Sequence, residues 1–87
     1  MANTKQALKR VRQNLKQRAR NRAHLSRMRT AVKKLRTAIG SGDADTARNL
    51  LTETLSIVDR TAQKGVIHAN AAARTKSRLT TQVNALG

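Results

Sequence analysis

Residues 25–43 read LSRMRTAVKKLRTAIGSGD and join an apolar helical seam to the strongest turn signal in the chain. Apolar side chains recur here at intervals of three, four, three and four residues, at Leu25, Met28, Val32, Leu35 and Ile39. This spacing is typical of a helix that packs one side against other helices. The turn signal follows at once, in Gly40, Ser41, Gly42 and Asp43. We therefore predict a bundled helix that ends near Ile39, with Gly40 in the left-handed conformation that closes many helices.

A second break, at Gly65, divides the rest of the chain into two further helices. Asn3 and Asp43 are the expected N-caps of the first two helices, because their side-chain oxygens can accept hydrogen bonds from early backbone amides. The sequence thus predicts a single all-α domain over residues 1–87, a three-helix bundle with a long, basic, projecting first helix. We predict helix one at about residues 4–39, helix two at about 44–64 and helix three at about 67–86.

Helices two and three each offer apolar positions for a common core. In helix two these are Ala47, Leu50, Leu51, Leu55, Val58 and Ala62. In helix three a single stripe contains Ala72, Leu79, Val83 and Leu86. Hydrophobic residues make up 38% of the chain and none of them is Phe, Tyr or Trp. We therefore expect a thin core and marginal stability.

The N-terminal half of helix one has little apolar surface to bury. At 1.5 Å per residue its roughly 35 residues span about 50 Å, whereas helices two and three span about 30 Å each. About 20 Å of helix one should therefore project beyond the bundle. Over this part the apolar stripe thins to Leu8, Val11, Leu15, Ala19 and Ala23.

Positive charge is concentrated in the first helix. The chain has 19 Lys and Arg against 4 Asp and Glu, which gives 87 residues a formal net charge of +15. Residues 1–36 hold 13 of the basic residues and no acidic one. Like charges four residues apart, such as Lys5 with Lys9, each cost an isolated helix about 0.2–0.5 kcal/mol. A helix that tolerates this repulsion is expected to bind a polyanion whose phosphates supply the missing negative charge.

Two groups of side chains are the expected contacts with that polyanion. The first lies along helix one and comprises Lys5, Lys9, Arg10, Arg12, Lys16, Arg18, Arg20, Asn21, Arg22, Arg27, Arg29, Lys33 and Lys34. The second runs from the N-terminal end of helix three and comprises His68, Asn70, Arg74, Lys76, Ser77 and Arg78. His24 can be read equally well as a phosphate contact or as a solvated imidazole. Asp59 is expected to pair with Arg60 or with a basic residue of another helix.

The same composition argues against a catalytic, metal-binding or membrane-spanning protein. There is no Cys, and the two His and four carboxylates have no spacing that builds a metal site or a nucleophile with its base. No apolar run exceeds the three residues 71–73, so neither a membrane span nor a signal segment is expected. We expect no cofactor and no small-molecule substrate. Without aromatic residues the chain cannot stack unpaired bases, and Gly40 ends the seam too early for a basic zipper.

The segment 64–79, KGVIHANAAARTKSRL, resembles a stretch typical of the bacterial small-subunit ribosomal protein S20 family. The matching positions are Lys64 to His68, Asn70, Ala72 to Arg74 and Lys76 to Leu79. The resemblance extends in the same order over essentially the full chain, through the start Met1-Ala2-Asn3, Lys9-Arg10, Arg12, Asn21, Arg29-Thr30, Lys33 and the Gly42-Asp43 turn. Ala69 and Ala71 stand where the family usually has lysines, and Gln6 where a serine is common. These departures imply a smaller share of binding for helix three.

The resemblance implies a three-helix bundle that binds 16S ribosomal RNA directly, in the small subunit of cytoplasmic ribosomes, and supports subunit assembly. It also implies no enzymatic activity. Composition alone leaves RNA and DNA equally open, because an Arg-rich helix can enter a DNA groove or brace RNA helices through their phosphates. The alternative class is therefore a nucleoid-type basic protein that compacts DNA.

The poor apolar stripe and the like-charge pairs also favour the hypothesis that residues 1–22 are disordered until RNA binds. On this hypothesis the amides of residues 8–20 exchange rapidly in the free protein and become protected when RNA is added. Hydrogen–deuterium exchange with and without 16S rRNA measures this directly, and the bundled half of helix one serves as the internal control. Strong protection of residues 8–20 in the free protein would contradict the hypothesis.

Overall fold

The computed structural model describes residues 4–86 and contains three α-helices. They are α1, Thr4–Gly40; α2, Ala44–Gln63; and α3, Ala69–Ala85. No strand occurs among the residues described, and the predicted all-α three-helix arrangement is confirmed. The molecule measures 65 × 20 × 15 Å, because α1 is much longer than the other two helices. The predicted N-cap Asn3 lies outside the described residues.

The turn between α1 and α2 is built around Gly42 and not around Gly40. Gly40 is still helical, whereas Gly42 has a φ of +73°. The backbone N–H of Gly42 donates to the carbonyl of Ile39 at 3.1 Å, and that of Asp43 donates to the carbonyl of Ala38 at 3.1 Å. This pair of bonds is the Schellman arrangement, which requires the left-handed residue two positions beyond the last helical one. The prediction for Gly40 was therefore wrong, because the motif places Gly42 at the left-handed position.

Asp43 is the N-cap of α2, as predicted. Its Oδ1 accepts a hydrogen bond from the backbone N–H of Thr46 at 3.2 Å, and its Oδ2 accepts one from the Thr46 hydroxyl at 2.6 Å. These two bonds hold the pKa of the Asp43 carboxyl below its usual value, and the bond from the Thr46 hydroxyl has the larger effect. Partial desolvation of the carboxyl opposes them. Asp45 lies in the first turn of α2, where a negative charge is favoured.

A second Schellman turn ends α2 at Gly65. Gly65 has a φ of +75°, and its N–H donates to Ala62 while the N–H of Val66 donates to Thr61. The third helix then begins at Ala69, two residues later than predicted. His68 is the reason, because its Nδ1 accepts a hydrogen bond from the backbone N–H of Asn70 at 3.0 Å and caps the helix.

The core is small and lies between the C-terminal half of α1 and the other two helices. Its buried apolar residues are Val32, Leu35, Ala38, Ala47, Val58, Ala72, Leu79 and Val83. The predicted seam of α1 supplies two of these, and Met28 and Ile39 pack partly buried against them. Ala38, Thr54 and Thr61 are buried although the apolar pattern did not single them out. The Thr61 hydroxyl donates to the carbonyl of Ile57 at 2.7 Å, so its burial costs little.

The N-terminal half of α1 extends beyond this core. Every residue from 4 to 20 is exposed, and Leu8, Val11 and Leu15 are 59%, 52% and 59% exposed. The first half-buried position of the helix is Asn21. At 1.5 Å per residue, the exposed part of α1 is about 25 Å long. The bundle therefore holds only the C-terminal half of the helix.

One ion pair links α2 to α3. Lys76 Nζ lies 2.8 Å from Asp59 Oδ1, with the two side chains 37% and 48% exposed. The expectation that Asp59 pairs with a basic residue of another helix is thus confirmed. Because both groups are partly solvated, the pair contributes at most about 1 kcal/mol, and its main effect is to fix the position of the Lys76 amine.

We expect truncation of Leu35 to lower stability far more than truncation of Leu15. Leu35 is fully buried, so Leu35→Ala should lower the free energy of unfolding by about 2–5 kcal/mol, comparable with the total for a domain of this size. Leu15→Ala, at an exposed position, should change it by less than about 0.5 kcal/mol. Urea and thermal unfolding followed by circular dichroism measure both changes. Equal effects of the two substitutions would contradict the described core.

The lowered pKa of Asp43 predicts a specific loss of stability in acid. Because the folded-state pKa lies below the unfolded value, the stabilisation is present above the unfolded pKa and is lost as the pH falls through the folded one. Asp43→Asn keeps an N-capping side chain but removes the titration. The wild type should therefore lose stability relative to this variant on acidification, as measured by urea unfolding at pH 7 and near pH 3. A constant difference between the two proteins would show that the cap does not depend on the charge.

Candidate nucleic-acid interface

The charges of the molecule are separated by helix. All 13 basic residues of the range 1–36 lie on α1, which has no acidic residue. The four carboxylates lie at the N-cap of α2 and along α2 itself, at Asp43, Asp45, Glu53 and Asp59. Within residues 4–86 the ion pairs are Arg48 with Asp45 at 3.8 Å and Lys76 with Asp59 at 2.8 Å. Neither pair involves α1, so its cations are not neutralised by carboxylates of the described chain.

The exposed half of α1 presents cations in several directions. Lys5, Lys9, Arg12 and Lys16 follow one another at intervals of four, three and four residues, which places them in one row along the helix. Arg10 lies on a second side of the helix, and Arg18 and Arg22 lie on a third. A polyanion that contacts this part of the helix on more than one side therefore meets a cation on each of those sides.

In the bundled half of α1 the cations line several grooves, two of which differ in charge. Arg29 and Lys33 line one groove together with Arg36 and with Thr75 of α3. Arg27 and Lys34 line another, which includes the carboxylate-bearing Glu53 of α2. The α1–α3 groove is therefore the more strongly positive of the two. Arg36 was not among the predicted contacts, although it lies three residues after Lys33 and seven after Arg29, a spacing that places the three on one side of α1.

The predicted residues of α3 fall into two sets. Asn70, Arg74, Ser77 and Arg78 are exposed and share the side of α3 opposite its buried stripe. Lys76 lies toward α2, and its amine is engaged by Asp59. His68 is exposed at the N-cap, where its Nδ1 is already used as an acceptor. The neutral tautomer of this ring therefore keeps its proton on Nε2, which is free to donate.

The point at which α1 leaves the bundle is covered by the turn after α2. Asn21, Arg18 and Arg22 line a shallow groove there with Leu25 and Val66. His24, in the same part of α1, is half-buried. Burial, followed by the charges of Lys64, Arg27 and Arg20, holds the pKa of His24 below its ordinary value.

The described residues show neither a metal-binding cluster nor a membrane-spanning helix. Within 4–86 there is no group of three or more His, Asp or Glu side chains that could hold a metal ion. No helix in this range is long and apolar enough to cross a bilayer. What the arrangement offers chemically is a column of free cations and hydrogen-bond donors.

Comparison with known proteins gives consistent matches over the whole chain. The family model described as Ribosomal protein S20 matches residues 2–84. The small ribosomal subunit protein bS20 of Nitrosomonas eutropha is 54% identical over 87 residues, which cover 100% of both chains. The protein of the same name from Acidithiobacillus ferrooxidans is 52% identical over 87 residues, all of this chain and 96% of the relative. That from Geobacter metallireducens is 46% identical over 87 residues, again 100% of both chains.

These matches include all three helices and both turns. They agree with the resemblance carried by residues 64–79 and by the Gly42-Asp43 turn. Identities of 46–54% over the full length are well above what a shared fold alone would require. The chain therefore belongs to the ribosomal protein S20 family.

Proposed function

We propose that this chain is a structural protein of the small ribosomal subunit that binds 16S rRNA through phosphate-backbone and shape contacts and supports subunit assembly. The observation that carries the proposal is the exposed half of α1, with its cations on several sides and no carboxylate partner among residues 4–86. The relatives are named as proteins of the small ribosomal subunit, and this points to ribosomal RNA as the polyanion. Such a protein is a structural component of cytoplasmic ribosomes and has no catalytic role.

Contact with RNA helices favours a binding mode based on charge and shape. The chain has no aromatic residue on which an unpaired base could stack. The deep major groove of an RNA helix is also closed to side chains, which leaves phosphates and the ribose hydroxyls of the minor groove as the accessible partners. Lys and Arg on several sides of one helix suit a position between more than one RNA segment. The exposed half of α1 is thus the main contact, and the bundle fixes its direction.

A second, smaller contact is proposed for the exposed side of α3. Arg74 and Arg78 lie one turn apart there, with Asn70 and Ser77 as neutral donors. The charge on this side is lower than on α1, and the Lys76 amine is held by Asp59. This set therefore orients the protein on the RNA more than it adds affinity. That residues 1–22 become ordered only on binding stays a prediction.

DNA compaction is the competing function. Phosphates alone do not distinguish DNA from RNA, so the cations of α1 would bind both to some extent. Shape contacts and ribose hydroxyls are what would give RNA the advantage. Membership of a ribosomal protein family favours RNA, because the curated relatives are named for the small ribosomal subunit.

Neutralising two charges on α1 should weaken RNA binding far more than neutralising two on α2. We compare Arg12→Gln with Lys16→Gln as one double variant, and Arg48→Gln with Arg60→Gln as a control of equal charge. The α1 variant should lose affinity for 16S rRNA, and its slope of log affinity against log salt should fall by about 1 to 2. The control should change neither quantity much. Binding is measured by filter retention at several salt concentrations, with helicity checked by circular dichroism.

Three outcomes would contradict the proposal. Affinity that hardly depends on salt would exclude the electrostatic mechanism. Equal losses in both double variants would show that α1 is not the main contact. Equal affinity for 16S rRNA and for a DNA duplex, measured by competition at one salt concentration, would favour the DNA-compacting alternative.

A further inference from the structure

The groove where α1 leaves the bundle is rich in neutral amides. Asn14, Gln17 and Asn21 line it, and their spacing of three and four residues places them on one side of α1. Val66, which follows the turn after α2, lines the same groove. Two segments that are far apart in the sequence therefore form this groove together.

Two cations and two apolar side chains complete the groove. Arg18 and Arg22 are exposed and lie one helical turn apart. Leu25 and Val66 are half-buried. The turn that ends α2 fixes Val66, because its backbone N–H donates to the carbonyl of Thr61 at 3.1 Å. The groove thus combines neutral hydrogen-bonding groups, positive charge and an apolar surface.

The fold itself makes no use of the amide groups in this groove. Asn14 and Gln17 are exposed, and Asn21 is half-buried. The side-chain hydrogen bonds within residues 4–86 involve none of the three. Asn and Gln are also weaker helix formers than Ala, so helix stability does not explain their presence. Their donors and acceptors are therefore available to a ligand.

An amide side chain suits a hydroxyl group better than a phosphate. Asn and Gln each offer two N–H donors and one carbonyl acceptor, whereas a backbone phosphate only accepts. A ribose 2′-hydroxyl both donates and accepts, and RNA helices display these hydroxyls in their wide, shallow minor groove. The apolar surface of Leu25 and Val66 suits the carbon atoms of the same sugar. The composition of the groove therefore matches a ribose with its neighbouring phosphates.

We propose that this groove binds a ribose–phosphate segment at the edge of an RNA minor groove, with the amides on 2′-hydroxyls and Arg18 and Arg22 on the adjacent phosphates. The proposal rests on the proposed function, since it requires that RNA is the partner. It assigns the distinction between RNA and DNA to the three amides, because DNA lacks the 2′-hydroxyl. The row of cations from Lys5 to Lys16 does not make this distinction, because both polymers have phosphates.

Two double variants test the amides. Asn14→Ala with Gln17→Ala removes two of them, and Asn21 is kept because it is half-buried. Gln82→Ala with Asn84→Ala is the matched control, since it removes one Gln and one Asn at exposed positions of α3. Alanine favours the helix in both cases, so circular dichroism should show unchanged or higher helicity.

A third double variant, Arg18→Gln with Arg22→Gln, tests the cations of the groove. For each protein, affinity is measured by filter retention for a 16S rRNA transcript and for a DNA duplex, at several salt concentrations. The ratio of the two affinities reports the discrimination between RNA and DNA. Any general effect of a substitution on the helix cancels in this ratio.

We expect the Asn14 and Gln17 variant to bind 16S rRNA about fivefold to thirtyfold more weakly than the wild type, because two hydrogen bonds are lost. Its affinity for DNA and its salt dependence should not change, because no charge is removed. The Arg18 and Arg22 variant should bind both polymers more weakly, and its slope of log affinity against log salt should fall by about 1 to 2. The α3 control should behave as the wild type.

Wild-type affinity for RNA in the Asn14 and Gln17 variant would overturn the assignment of this groove and leave the proposed function intact. Equal losses for RNA and DNA in that variant would also overturn it, since they would show that the amides contact phosphates. An equal loss in the α3 control would show that the effect is not specific to the groove. No binding of the wild type to 16S rRNA would overturn the proposed function, and the groove's role with it.

Discussion

Electrostatic repulsion along α1 is the constraint on which the rest of the structure depends. Thirteen cations follow one another over the range 1–36 without a carboxylate, and the described ion pairs lie elsewhere in the molecule. Like charges four residues apart destabilise an isolated helix, and the exposed half of α1 has no packing to offset this cost. The bundled half does, because Val32 and Leu35 are buried against the other helices. The bundle can therefore be read as the support that keeps one strongly charged helix in a defined direction.

The second helix makes this support possible. It contacts both other helices, whereas α1 and α3 touch each other little. It also contains the carboxylates that serve the fold: Asp43 as N-cap, Asp45 in the first turn and Asp59 as the partner of Lys76. These acidic groups lie where they stabilise backbone ends or a helix pair, and not where they would neutralise α1. The separation of charge therefore stabilises the bundle and also leaves the cations of α1 available for binding.

The sequence predicted the fold well because its signals were local. The seam from Met28 to Ile39 and the cap at Asp43 depend only on helix periodicity and on one side chain, and the structure confirms both. Leu25, the first predicted residue of the seam, is half-buried and lies outside the core. The left-handed glycine was misplaced because the Schellman bonds of the turn place it two positions beyond the last helical residue. The start of α3 was placed too early because the ring of His68 acts as a cap, an unusual role for an imidazole.

By itself, the sequence determined three helices, the excess of charge on the first of them and the polyanionic nature of the partner, because composition and helical period carry this information. The tertiary structure alone decided which charges of different helices lie together: it engaged Lys76 with Asp59, and it brought Arg27 and Lys34 of α1 to a groove that Glu53 of α2 also lines. It also placed Thr75 of α3 in the groove that Arg29 and Lys33 of α1 line. Such pairings depend on how separate helices pack side by side. The periodicity within one helix cannot predict which residues of another helix lie beside it.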